Sequence, residues 1–285
     1  MQMARATPPG GYGMSTLKGL QTGMAHLDGA DLYYEVAGEG PDLVLVHAGF
    51  VDRRMWDDQF PVFAQEYRVV RYDRRGFGNS KLTPGPFSHR RDLYQLLKFL
   101  DIERAHLLGC SAGGAAIVDF ALEHREMAAS LTLVDSALGG YRYQGDMPKS
   151  LQDLAAAIQT KDFDQAAELA VRLWIDGPRR TPDQVDARIR QRGREMARTA
   201  LPNAFVTEEP LQPPAIERLH EIAIPTLVVV GDLDDASIAA IGDLLTTRIA
   251  GARQVAISGA AHLPNMDKPE EFNREVLAFL HQVAL

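Results

Sequence analysis

Short apolar runs alternate with helical patterns along this chain of 285 residues, and that alternation constrains its fold more than any other feature. Residues 42–47 (DLVLVH), 67–72 (YRVVRY), 105–109 (AHLLG), 130–134 (SLTLV) and 225–230 (PTLVVV) are apolar almost without a break, and residues 254–258 (QVAIS) read as a last strand. A strand with one wet face alternates polar and apolar residues. Unbroken runs therefore predict strands covered on both sides. Residues 31–36 (DLYYEV) predict an earlier strand. Helical stretches fall between, at 55–63, 91–100, 112–124 and 270–283. In the second of these, Leu93, Leu96, Leu97 and Leu100 recur at spacings of three and four, one face of an amphipathic helix. Alternating strands and helices predict an α/β class with a mostly parallel sheet flanked by helices.

The rhythm breaks between residues 137 and 222, where no strand pattern stands out. Helix starts appear instead. Thr181-Pro182-Asp183-Gln184 combines a capping Thr, a Pro at the first helical position and Gln three residues after the cap, and residues 162–165 repeat that spacing. This block predicts a helical insertion into a core made of 21–136 and 223–285, after a loose segment at 1–20 rich in Gly, Pro, Ser and Thr. Met14 is a possible second start.

Composition excludes several function classes. The 38 Asp and Glu outnumber the 30 Lys and Arg, and no basic stripe is visible, which argues against nucleic-acid binding. No run of 18 apolar residues exists, so no membrane span is expected, and the N-terminus lacks the apolar region of a signal peptide. The one cysteine, Cys110, cannot form an internal disulfide, which fits a reducing, cytoplasmic setting. Oligomeric state is not legible.

The sharpest local signal is Gly109-Cys110-Ser111-Ala112-Gly113, placed between an apolar strand and a helix. A G-x-S-x-G turn in that context lifts the serine hydroxyl into the open. The glycines make room for neighbouring backbone, and the following helix aims N–H groups at developing negative charge. Centred on Cys110, the pattern would be flanked by Leu108 and Ala112, which relieve no crowding, so the thiol reads as a small core residue beneath the turn.

A serine hydroxyl needs a base to become a nucleophile. His262 follows the last strand directly and fits that role. His26 lies near the loose start, and His106 lies inside a strand. His89, His124, His220 and His281 fall in helical or polar contexts that suggest surface positions. An acid should follow the preceding strand, where Gly231-Asp232-Leu233-Asp234-Asp235 offers three carboxylates. Asp234 is the choice, with Asp232 tying the turn and Asp235 facing solvent. Asp135, which also ends a strand, is a minor alternative. The order Ser111, Asp234, His262 suits a Ser-His-Asp triad.

These motifs resemble the α/β-hydrolase superfamily, in its bacterial carboxylesterase, enol-lactonase and haloperoxidase-like branch. The likeness runs from about residue 25 to the end. His47-Ala48-Gly49-Phe50 resembles the family's His-Gly-x loop, with Met55-Trp56 following at the usual distance. Residues 73–80 (DRRGFGNS) resemble its D-x-R-G-x-G-x-S loop, normally structural. Gly231 to Asp234 resembles its G-x-x-D acid loop, and residues 260–269 its terminal histidine segment. The resemblance implies an α/β-hydrolase fold in which 137–222 form a helical cap. It further implies an oxyanion hole from the N–H groups of Gly49 and Ala112, Phe50 beside the acyl pocket, and His47 as a loop anchor. Ala48 stands where glycine is usual, which leaves Phe50 open as the second donor. Tyr141, Tyr143, Met147, Trp174, Met196 and Phe205 are candidates for lining a pocket or filling the cap core.

The implied activity is hydrolysis of a small-molecule carboxylic ester, without metal or organic cofactor. Enol-lactone or C–C bond hydrolysis and haloperoxidase or perhydrolase chemistry use the same groups, and a non-catalytic binding protein could keep the fold. The elbow lacks the aspartate that epoxide hydrolases and dehalogenases of this superfamily require.

Overall fold

The computed structural model describes residues 17, 19–143, 148–203, 206 and 208–283. Most of the segment at 1–20, together with Met147 and Phe205, lies outside the described residues. Eight strands form one sheet: β1 Gln21–Leu27, β2 Ala30–Ala37, β3 Asp42–Val46, β4 Arg68–Tyr72, β5 Ala105–Cys110, β6 Ala128–Val134, β7 Thr226–Gly231 and β8 Arg253–Ile257. Their spatial order is β1-β2-β4-β3-β5-β6-β7-β8. β1 pairs antiparallel with β2, and β2 with β4; every later pair is parallel.

The central strands are apolar throughout because each serves two cores. Leu43 and Leu45 point into one apolar cluster, while Val44 and Val46 point into the other. That alternation is the two-residue period of a strand. The first cluster packs on α1 Phe60–Phe63 and α10 Pro269–Leu280, through Phe60, Phe63, Phe272 and Phe279. The second packs on α2 His89–Phe99, α3 Ala112–Glu123 and α8 Ala236–Arg248, through Leu93, Leu96, Ile117, Phe120, Ile241 and Leu245. Leu93, Leu96 and Leu97 are buried, as their spacing predicts.

Between β6 and β7 the described residues contain no strand. They form α4 Lys149–Gln159, α5 Phe163–Ala170, α6 Ala187–Ala200 and α7 Ala215–Arg218, with α9 Pro264–Asp267 following later in the chain. Asp162 caps α5 by accepting from the Gln165 N–H at 3.1 Å, as expected. The start at Thr181 behaves differently. Gln184 reaches back to the Thr181 N–H at 2.9 Å, but the turn is a single 3-10 piece, Pro182–Gln184. The long helix begins at Ala187, under an Asp186 cap. Likewise the helix expected at 55–63 splits into a 3-10 turn, Arg53–Trp56, and the short α1, which has Pro61 in its first turn. No helix among the described residues is long and apolar enough to cross a membrane.

Candidate active site

The parallel strands all end on one edge of the sheet, and the expected site residues lie just beyond those ends. Ser111 follows β5, Asp135 follows β6, Asp234 follows β7 and His262 follows β8. Ser111 has φ 52° and ψ −118°, a left-handed conformation that costs a serine energy and persists only when its surroundings enforce it. Three backbone bonds help to do so. The Ser111 N–H donates to Val134 O at 2.9 Å, and Ser111 O accepts from the N–H groups of Ala115 and Ala137, both at 3.0 Å. The flanking glycines are required by close approach. A Cβ on Gly109 would lie 2.5 Å from Gly113 O, and one on Gly113 would lie 2.6 Å from His47 O. Cys110 is wholly buried and lies among core residues, and burial pushes its thiol well above its ordinary pKa.

His262 is buried and its Nδ1 lies 2.6 Å from Asp234 Oδ2. Asp234 Oδ1 accepts from the Asp235 N–H at 2.7 Å, which fixes the carboxylate plane. Burial alone would lower the imidazole pKa. The Asp234 charge and hydrogen bond outweigh it, and the pKa is raised above 6.5. Asp232 ties the turn, accepting from the Gly259 N–H at 2.7 Å and the Ser258 hydroxyl at 3.1 Å. Asp235 is exposed and caps α8. Asp135 is buried with φ 38°, and both of its oxygens accept from the Gly231 N–H, at 3.1 and 3.2 Å. Burial, then the Asp234 charge, raises the Asp135 carboxyl well above its ordinary pKa. Ligand-type atoms of Asp135, Asp234 and His262 lie within 4.8 Å of one another. The direct contact of 2.6 Å between His262 and Asp234 admits no ion between them.

Gly49 faces the head of α3, where a Cβ on it would sit 3.3 Å from Ala112 Cβ. Its loop is pinned by His47, which is wholly buried. His47 Nδ1 lies 2.8 Å from Ala48 O, and Nε2 accepts from the Arg74 N–H at 2.9 Å. Burial, then the Arg74 charge, pushes its pKa down to about 3. The folded protein thus holds His47 neutral, while the unfolded chain takes up a proton below about 6.5. Below that pH, His47 alone should cost stability at about 1.4 kcal/mol per pH unit. Urea unfolding at about pH 6.5 and 5 measures this slope. In His47→Asn the slope should flatten, and an unchanged slope would refute the assignment.

The loop at 73–80 is structural, as expected. Asp73 accepts from the Arg53 and Asn79 N–H groups at 3.0 and 2.8 Å, and the Ser80 hydroxyl donates to Asp73 O at 2.6 Å. His89 corrects the surface expectation. It is buried against Phe77 and Phe87, because the chain before α2 folds inward there.

Gly49, Phe50, Ser111 and His262 line one cavity of about 350 Å³. Its other walls are apolar and come from the helical block and α8, among them Leu154, Ile158, Trp174 and Ile238. Phe50 is 3% exposed and stacks on Trp174, with ring centroids 4.6 Å apart. Trp174 and Tyr143 thus line the cavity, whereas Met196 fills the core. Leu154, Ile158 and Ile238 carry no signal in sequence that would single them out.

Comparison with known proteins agrees with this architecture. The model of the family described as "Alpha/beta hydrolase family" matches residues 43–275. The chain is 30% identical over 242 residues to a pimeloyl-[acyl-carrier protein] methyl ester esterase from Aeromonas hydrophila, covering 82% of this chain and 93% of that protein. It is 27% identical over 256 residues to 3-oxoadipate enol-lactonase 1 of Acinetobacter baylyi, covering 85% and 90% respectively. The solved enol-lactonase from Burkholderia xenovorans LB400 superposes with a TM-score of 0.77 at 26% identity, covering 91% of this chain and 100% of that one. Sheet order, strained serine turn and family match together identify the chain as a member of the alpha/beta hydrolase family.

Proposed function

We propose that the chain is a serine carboxylesterase acting on short- to medium-chain carboxylic esters. One observation carries this reading: Ser111, strained at the head of α3, and His262, held by Asp234 at 2.6 Å, open into a single apolar cavity. The esterase names of relatives support the ester as substrate.

With Nδ1 engaged by Asp234, Nε2 is the nitrogen of His262 left to take the Ser111 proton. Ser111 Oγ attacks the ester carbonyl, and the N–H groups of Ala112 and Gly49 receive the oxyanion. His262 passes its proton to the leaving alcohol, which leaves an acyl-enzyme. Water, deprotonated by the same imidazole, releases the acid and restores Ser111. Asp234 holds the productive tautomer throughout. The helices between 137 and 222 act as a roof that keeps bulk water from the acyl-enzyme. This chemistry needs no metal or organic cofactor.

Hydrolysis of p-nitrophenyl esters from acetate to palmitate tests the reading, with rapid turnover of the shorter chains expected. A folded protein that hydrolyses none of them overturns it. In that event, fluorophosphonate labelling of Ser111 would point to a lactone or C–C substrate, and no labelling to a ligand-binding role.

A further inference from the structure

Trp174 sits on a six-residue π-helical turn, Val171–Asp176, that closes at Gly177 with φ 74°. Such widened turns are rare and concentrate at functional sites. The Arg180 guanidinium ties its end to the rest of the site. Arg180 donates to Ile175 O at 2.6 Å and to Asp176 O at 2.9 Å, two carbonyls at the end of the turn. It also donates to Gly259 O at 3.2 Å and to Asp267 Oδ2 at 2.8 Å. The same Asp267 oxygen accepts from the Ala261 N–H at 2.9 Å, one residue before His262. Arg180 thus joins the turn that carries Trp174 to the loop that carries His262, and it does so largely out of water. Buried Asp176 adds bonds from Arg172 at 2.6 Å and Arg190 at 2.8 Å. The backbone that carries the indole is thus held in place while its ring stacks on Phe50.

The chemistry of the cavity is as narrow as its geometry. About 350 Å³ is at the small end of small-molecule sites, which run from roughly 300 to 1,000 Å³. Apart from His262, no basic residue lines it among the described residues. Arg172, Arg180 and Arg190 are all held by Asp176 or Asp267. A carboxylate held against the apolar walls of Leu154, Ile158, Trp174 and Ile238, away from His262, would meet no cation among the described residues, which is costly.

We infer that Trp174, stacked on Phe50 and clamped to the histidine loop through Arg180, is the specificity determinant of this site and restricts it to short, uncharged acyl groups. The inference rests on the esterase reading above and names its substrate class. Arg180 is a positioning residue in this scheme.

The test is kcat/KM over p-nitrophenyl acetate, butyrate, octanoate and decanoate, with mono-p-nitrophenyl glutarate as the anionic partner of the butyrate. The wild type should prefer butyrate or shorter, lose at least about tenfold by decanoate, and disfavour the glutarate at least about 100-fold. Trp174→Ala should move the optimum toward octanoate and raise decanoate about tenfold, with Trp174→Phe intermediate. Arg180→Met should broaden the profile and raise KM for butyrate with Trp174 still in place, and Arg180→Lys, which lacks the fork, should rescue it only in part. An unchanged chain-length profile in folded Trp174→Ala or, should that variant not fold, in Trp174→Phe overturns the assignment. So does glutarate turnover within tenfold of butyrate. An unchanged profile in Arg180→Met overturns the clamp. Calorimetric binding of methyl alkyl ketones of the same lengths gives the size reading without turnover. Failure of every ester would therefore sink the esterase reading, while the ketone series still decides the role of Trp174.

Discussion

Ser111→Ala is expected to lower kcat for p-nitrophenyl butyrate by about 10⁴-fold or more while leaving the fold intact. The substitution removes one oxygen. The backbone bonds that impose φ 52° all use main-chain atoms, and alanine meets the same strain there as serine. Stability should therefore change by less than about 1 kcal/mol, as read by urea unfolding. Some rate above the water reaction should survive, because the N–H groups at the head of α3 remain. A mutant that keeps more than about a tenth of wild-type kcat would show that Ser111 is not the nucleophile.

The second large effect is expected at the acid. Asp234→Asn should cost about 10⁴-fold in kcat, because an amide N–H placed against Nδ1 forces the wrong imidazole tautomer. Nε2 then carries the proton and cannot accept one from Ser111. The pH profile provides an independent reading. In the proposed mechanism activity needs neutral His262, whose pKa is raised above 6.5 by Asp234 against the effect of burial. The wild-type rate should thus climb with pH through a limb above 6.5. In the mutant, burial acts without that opposing charge, and the limb should move to lower pH. Asp135→Asn separates the two carboxylates. Both Asp135 oxygens serve the Gly231 N–H rather than the imidazole, so its loss should cost less than about tenfold. The reverse ranking of the two mutants would make Asp135 the working acid.

Much of this was legible in the linear chain, and the reasons are local. Unbroken apolar runs marked β3 to β7 because a strand covered on both faces has no wet side to encode. The turn at Ser111 was legible because close packing at Gly109 and Gly113 tolerates no Cβ. β1 was missed, since its residues at Gln21–Leu27 sit on a sheet edge and are mostly exposed or half-buried, which leaves little apolar signal. The helix starts were only partly right. Pairing at Thr181 is a real capping interaction, but it closes a single turn, and tertiary contacts decide whether a turn propagates. His89 was misread because its burial depends on rings outside its own helix.

The sequence by itself determined the α/β class, the serine on its strained turn, and an order of Ser111, Asp234 and His262 along the chain. Each of these is written in adjacent residues: side-chain period, glycine spacing, a carboxylate or imidazole just past a strand. Only the tertiary structure decided which carboxylate meets the imidazole, which of several aromatic side chains share a cavity with the serine, and that Arg180 joins the Trp174 turn to the histidine loop. Those contacts join residues far apart in sequence, 28 positions for Asp234 and His262 and 87 for Arg180 and Asp267. No local pattern encodes them, because they exist only once the sheet has brought its strand ends to one edge.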